Sequence, residues 1–253
     1  MNTEDHPEPE PSATPPAKGI TWVDRAQALF EVLLLAGIVS SLIATLPFML
    51  GPAGRKNPMA DVRGLFAYLL LEAAITFVLL FLVMRAHGET LKEMGLSWER
   101  WRAHALLGLA IVPILFVVNY IVYIVFLAFL PGYVRETNPL TEIIRTPQDL
   151  MLFITAALIA GGIKEEMQRA FILRRFQACL GGARLGLFLW SASFGMGHYV
   201  QGPQAVVAAG TFGLLFGIVY LARRNLVTPM VTHGAYDTIA LLGYWFLAAH
   251  SNT

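Results

Sequence analysis

Apolar residues along this chain gather into long continuous blocks, with few short alternating runs. The blocks run from Gln27 to Leu50, Gly64 to Met84, Ala103 to Leu130, Leu150 to about Phe176, Leu185 to Tyr199, Ala205 to Ala222, and Leu226 to Ala249. Crossing a bilayer takes roughly 20 mostly apolar residues in a helix. A barrel strand would instead alternate over about ten residues. Only elements that satisfy their own backbone hydrogen bonds survive in lipid. The pattern therefore predicts an all-α, polytopic transmembrane helical bundle with about seven spans. The fifth block is short and the fourth is interrupted by charge.

Composition agrees with the pattern. Apolar residues make up 56% of the chain, charged residues 14%, and the mean hydropathy is +0.60, whereas soluble domains carry about a quarter charged residues. The first 20 residues are rich in Pro, Glu and Thr and cannot bury enough apolar surface to order themselves. They lack the basic segment and short apolar core of a secretory signal, so residues 1–25 are expected to be a disordered cytoplasmic tail. Residues 26–148 then supply three transmembrane helices. The net charge of +1 says nothing about partners, while the lack of a basic run or aromatic-basic patch argues against nucleic acid. Cys179, the single cysteine, excludes an internal disulfide and a cysteine cage for a metal.

Cytoplasmic loops collect Lys and Arg. The tail and the even-numbered loops hold Lys18, Arg25, Arg85, Lys92, Arg100, Arg102, Arg174, Arg175, Arg184, Arg223 and Arg224, eleven against the five of the opposite side, Arg55, Lys56, Arg63, Arg135 and Arg145. This places the N-terminus in the cytoplasm of a multi-pass protein, expected in the plasma or inner membrane.

The chemistry lies in the polar residues inside the blocks, because a charge at bilayer depth costs at least about 2.5 kcal/mol on insertion scales. The fourth block holds Lys164, Glu165, Glu166, Gln168 and Arg169 within six positions. On a helix, Glu165 and Glu166 lie four and three residues before Arg169, so either can pair with it. The other glutamate is then free to accept a proton. His198 ends the fifth block behind Phe194 and Gly195, where a glycine lets a neighbouring backbone approach. In the seventh, His233 and Asp237 share one helix face. Gly213 and Gly217 have the spacing of a close helix contact. Glu72, near mid-span, faces the cavity or pairs with a neighbouring helix. Glu31, near the cytoplasmic end of the first span, can reach the interface.

These residues resemble the motifs of the CAAX protease and bacteriocin-processing family of intramembrane endopeptidases, which includes the type II CAAX prenyl endopeptidases. The Glu165-Glu166…Arg169 cluster, Phe194 to His198, and His233 to Asp237 carry the likeness, with Gly213, Gly217, Tyr220, Arg223 and Pro229 between them. The resemblance covers about Leu150 to Ala249 and marks 149–250 as a protease core. Two departures stand out. The family has three residues between its glutamate pair and its arginine, and here only Met167 and Gln168 intervene. Asp237 stands where many relatives have Asn.

The resemblance implies hydrolysis of a peptide bond in a membrane-associated or C-terminal peptide substrate. Glu165 or Glu166, with His198, would activate water. His233, with Asp237, would stabilise the oxyanion, and Arg169 would position the glutamate that is not the base. A rival version holds zinc on His198, His233 and Glu165 or Glu166, since two His and one carboxylate suit catalytic zinc. The metal-free version is preferred because the ligands come from three helices without an H-E-x-x-H pair. Two other classes compete: a catalytically silent, protease-like scaffold that binds partners in immunity or regulation, and a proton-relay transporter, against which the lack of an internal repeat counts. The oligomeric state and the substrate's identity are not encoded in any motif.

Overall fold

The computed structural model describes residues 19–51, 57–135 and 137–251. Among them every regular element is helical. Most of the expected tail lies outside the described residues.

The first apolar block is two helices, not one. Helix α1 (Trp22–Leu35) starts at a capping box, in which the Asp24 backbone N–H donates to Thr21 Oγ1 and the Thr21 backbone N–H to Asp24 Oδ2. It ends at Gly37, whose φ of 96° lies in the left-handed region that favours glycine. Helix α2 (Ile38–Leu50) then restarts. The break frees the Leu35 carbonyl at membrane depth, and the buried Gln168 side-chain amide donates to it at 2.8 Å. A polar residue from the fourth block thus completes the first.

Helix α3 (Val62–His87) is capped by Asp61 and ended by Gly88, and α4 (Trp101–Phe129) runs through Pro113. A single turn, α5 (Pro139–Glu142), precedes α6 (Pro147–Ala156), which continues through a π-helical stretch, Ala157–Glu165, into α7 (Glu166–Cys179). Helices α8 (Ala183–Gly197), α9 (Pro203–Arg223) and α10 (Val227–Ser251) complete the chain.

Among the described residues, four helical stretches are long and apolar enough to cross a membrane: Trp22–Leu50, Val62–His87, Trp101–Phe129 and Pro203–Arg223. The other three expected blocks also form helices. However, α6–α7 carries the charge cluster, α8 has 15 residues, and the apolar run of α10 is interrupted by His233, Tyr236 and Asp237. Length and apolarity therefore support four of the seven spans.

Burial shows which helix is central. In α7, ten of 14 residues are buried. In α4 only Gly108, Val112, Leu115 and Phe126 are, and most of its other side chains are exposed, as suits a helix bathed in lipid. Small residues permit the closest approaches. A Cβ on Gly195 would lie 2.5 Å from the Val206 carbonyl oxygen, and one on Gly217 would lie 2.2 Å from Leu187 Cδ1. A Cβ on Gly213 would sit 3.1 Å from Ser191 Cα. The close helix contact expected of Gly213 and Gly217 is thus made, between α8 and α9.

Candidate active site

The π-helical stretch, α7, α8 and α10 bring the motif residues to one cavity of about 1030 Å³. Glu165, His198, His233 and Asp237 all line it. A π-helix closes hydrogen bonds over five residues and so changes the angular order of side chains. Here Glu165 and Glu166, neighbours in sequence, end up on opposite sides of the His233 ring. Glu166 Oε1 lies 2.8 Å from Nδ1, and Glu165 Oε2 lies 3.9 Å from Nε2.

The two glutamates have different surroundings. Glu166 is fully buried, accepts from His233 Nδ1–H, and pairs with Arg169 three residues on. A carboxylate only accepts, so the His233 proton sits on Nδ1 in this contact. Arg169 is itself fully buried, and its guanidinium lies over the rings of Phe194 and Phe216 at 5.0 and 5.2 Å. Those aromatic faces take the place of hydrogen-bond partners for its Nε and one terminal nitrogen. Phe216 also stacks on His233 at 4.8 Å. Glu165 keeps 23% of its side chain accessible, from the cavity.

A second chain of charges reaches Glu165 from behind. Lys164 Nζ lies 3.6 Å from Glu165 Oε1 and 2.7 Å from Glu72 Oε2 on α3. Glu72 in turn accepts from Ser40 Oγ on α2 at 2.7 Å. All three residues are buried. Glu72 thus both lines the cavity and pairs across helices. Sequence reasoning left Lys164 without a partner. The signal was available, since Glu72 is the one other acidic residue near mid-span outside the motifs.

His198 closes α8, and its Nδ1–H donates to the Phe194 carbonyl at 2.8 Å. In the neutral ring this leaves Nε2 as an acceptor on the cavity side. Asp237 Oδ2 lies 3.6 Å from His233 Nε2, one turn along α10 as the spacing predicts. Gly161 makes room for this pair: a Cβ there would lie 3.0 Å from Asp237 Oδ2 and 3.3 Å from His233 Nε2.

Glu31 departs from its expected place at the interface. It is buried, with Arg175 Nε at 2.5 Å and His87 Nε2 at 2.6 Å, and Arg175 also donates to Glu89 at 2.6 and 3.1 Å. The physical reason is tertiary: Arg175, from the central helix, meets it at the arginine-rich end and replaces water.

Among the described residues no three His, Cys, Asp or Glu side chains are placed to share an ion. His233 already commits Nδ1 to Glu166.

The family model described as Type II CAAX prenyl endopeptidase Rce1-like matches residues 146–239. No curated protein and no solved structure matches the chain. The matched stretch begins at the cap of α6, ends two residues past Asp237, and contains every motif residue of the cavity. Residues 146–239 are therefore similar to the Rce1-like type II CAAX prenyl endopeptidase family.

Proposed function

We propose that the protein is an intramembrane endopeptidase that hydrolyses a peptide bond with water activated by Glu165 and His198. The observation that carries this is the unequal placement of the glutamates. Glu165 faces the cavity, while Glu166 is held behind it by Arg169 and His233. In the proposed step Glu165 takes a proton from water and the hydroxide oxygen adds to the scissile carbonyl carbon. His198 Nε2 orients the same water. His233, doubly protonated with its Nδ1–H held by Glu166, donates its Nε2–H to the developing oxyanion, with Asp237 beside it. As the C–N bond breaks, the proton on Glu165 passes to the leaving nitrogen. Glu166 and Arg169 keep His233 in place.

Purified protein incubated with a peptide library and read by mass spectrometry tests this reading. Glu165→Gln and His198→Ala should each lower cleavage by about 10²–10⁴-fold, with unchanged membrane insertion. Full cleavage by both variants sinks the proposal and leaves the scaffold reading, under which they are silent. Activity lost in a chelator and restored by zinc overturns the metal-free version.

A further inference from the structure

The cavity that holds Glu165 is open at only one end of the bundle. Its lining reaches loop residues Met59 between α2 and α3, Arg135, Thr137 and Asn138 after α4, and Val200 and Gln201 after α8. Among the described residues, none of the connections 88–100, 180–182 and 224–226 at the other end contributes to it. That other end is plugged. Leu35, Met94 and Leu226 are 1% exposed or less, and they pack there with Met84 and Phe176. The 88–100 connection is tied across the plug, with Tyr220 Oη donating to the Met94 carbonyl at 3.0 Å and Leu226 N–H to the Gly95 carbonyl at 2.9 Å.

The plugged end is also the basic one. Arg174 donates to the Glu93 carbonyl, Arg175 holds Glu31 and Glu89, and Arg224 donates to Gln177 at 2.9 Å. Arg25, Arg85, Lys92, Arg100, Arg102, Arg184 and Arg223 sit on the helix ends and connections at this same end. The open end carries Arg63, Arg135 and Arg145, and Arg55 and Lys56, counted on that side in the sequence, lie outside the described residues. An excess of Lys and Arg marks the cytoplasmic side.

From these two asymmetries together we infer that the cavity is entered from the non-cytoplasmic side of the membrane, and that its substrate is an extended peptide segment exposed on that side. The second half rests on the peptidase reading above. The chemistry of the mouth suits a peptide backbone. Arg135 donates to the Val200 carbonyl at 3.1 Å, Asn138 donates to Gln201 at 2.9 Å, and Gln204 donates to the Arg135 carbonyl at 3.2 Å. A guanidinium and three amides are thus gathered where an unfolded chain would pass, with His198 just inside. The occupant is a stretch of an exported or membrane-anchored protein, and a chain presented in the cytoplasm would meet the plug.

Single-cysteine accessibility tests the orientation. In a Cys179→Ser background, Gln201→Cys and Thr137→Cys report the mouth, while Arg184→Cys and Lys92→Cys report the plugged end. Each full-length variant is made in the inner membrane of a bacterial host and exposed to a membrane-impermeant maleimide, before and after permeabilisation. The mouth pair should label in intact cells and the other pair only after permeabilisation. Labelling of Arg184→Cys or Lys92→Cys in intact cells overturns the inference. Two different positions report each end, so one misfolded variant does not decide the result. The labelling needs no catalysis, so it fails separately from the peptidase reading. The substrate half is tested by a peptide added outside intact cells. Its cleavage should be lost when Gln201→Cys is labelled. Cleavage only of a peptide confined to the cytoplasm overturns that half.

Discussion

Two buried charge clusters, built from the same residue types, behave differently. At the arginine-rich end, Arg175 spends its guanidinium on Glu31 and Glu89, and His87 closes the group at 2.6 Å from Glu31. Around the cavity, Arg169 meets one carboxylate and two aromatic faces, and Glu165 keeps part of its surface open. The first cluster joins α1, α3 and α7 and is a staple. The second is saturated only on its inner side. Carboxylates that are fully paired hold helices together, and one left facing a cavity is available for proton transfer.

The contrast can be broken at the link between the N-terminal helices and the site. Lys164→Met strands Glu72 without its partner, and breaking a buried pair this way costs about 3–5 kcal/mol. Thermal unfolding in detergent should show the loss, and the Lys164→Met/Glu72→Leu double variant should recover most of it. Cleavage by the double variant should stay low, because Glu165 has lost its cation at 3.6 Å. Recovery of both stability and cleavage would make Lys164 a staple like Arg175.

Arg175→Met should cost less, about 1–3 kcal/mol, the range for losing hydrogen bonds to charged groups. Cleavage per folded molecule should not change. A drop would show that the two clusters are coupled through α7. Gly161→Ala tests the crowding beside His233 and Asp237. Its Cβ must displace one of them, so cleavage should fall while stability drops by only about 1 kcal/mol. The smallest effect is expected from Asp237→Asn, which keeps the shape and adds a donor. Cleavage should change by less than about tenfold, under about 1.4 kcal/mol of barrier. A larger loss would give the Asp237 charge a role of its own.

What was legible in the sequence is what depends on local spacing. Long apolar blocks give helices, Glu166 and Arg169 stand three positions apart, and His233 and Asp237 four. What was hidden depends on neighbours far along the chain. Gln168 reads as one more polar residue of a cluster until the break at Gly37 frees the Leu35 carbonyl for it. Glu31 reads as interfacial because its partner Arg175 is 144 positions away. Which glutamate faces the cavity turns on the π-helical stretch, since an α-helical wheel places both near Arg169.

That stretch also bears on how such a site tolerates changes in length. A helix that closes its hydrogen bonds over five residues holds slack that an ordinary helix lacks. An added or missing residue in an α-helix turns everything beyond it by about 100°. Nine residues of π-helix, Ala157–Glu165, run into the Glu165-Glu166…Arg169 cluster. Winding and spacing together bring Glu166, Arg169 and His233 to one point. Register in this chain is therefore a property of the whole stretch from Ala157 to Arg169, and homologues are better aligned there by side-chain direction than by residue count.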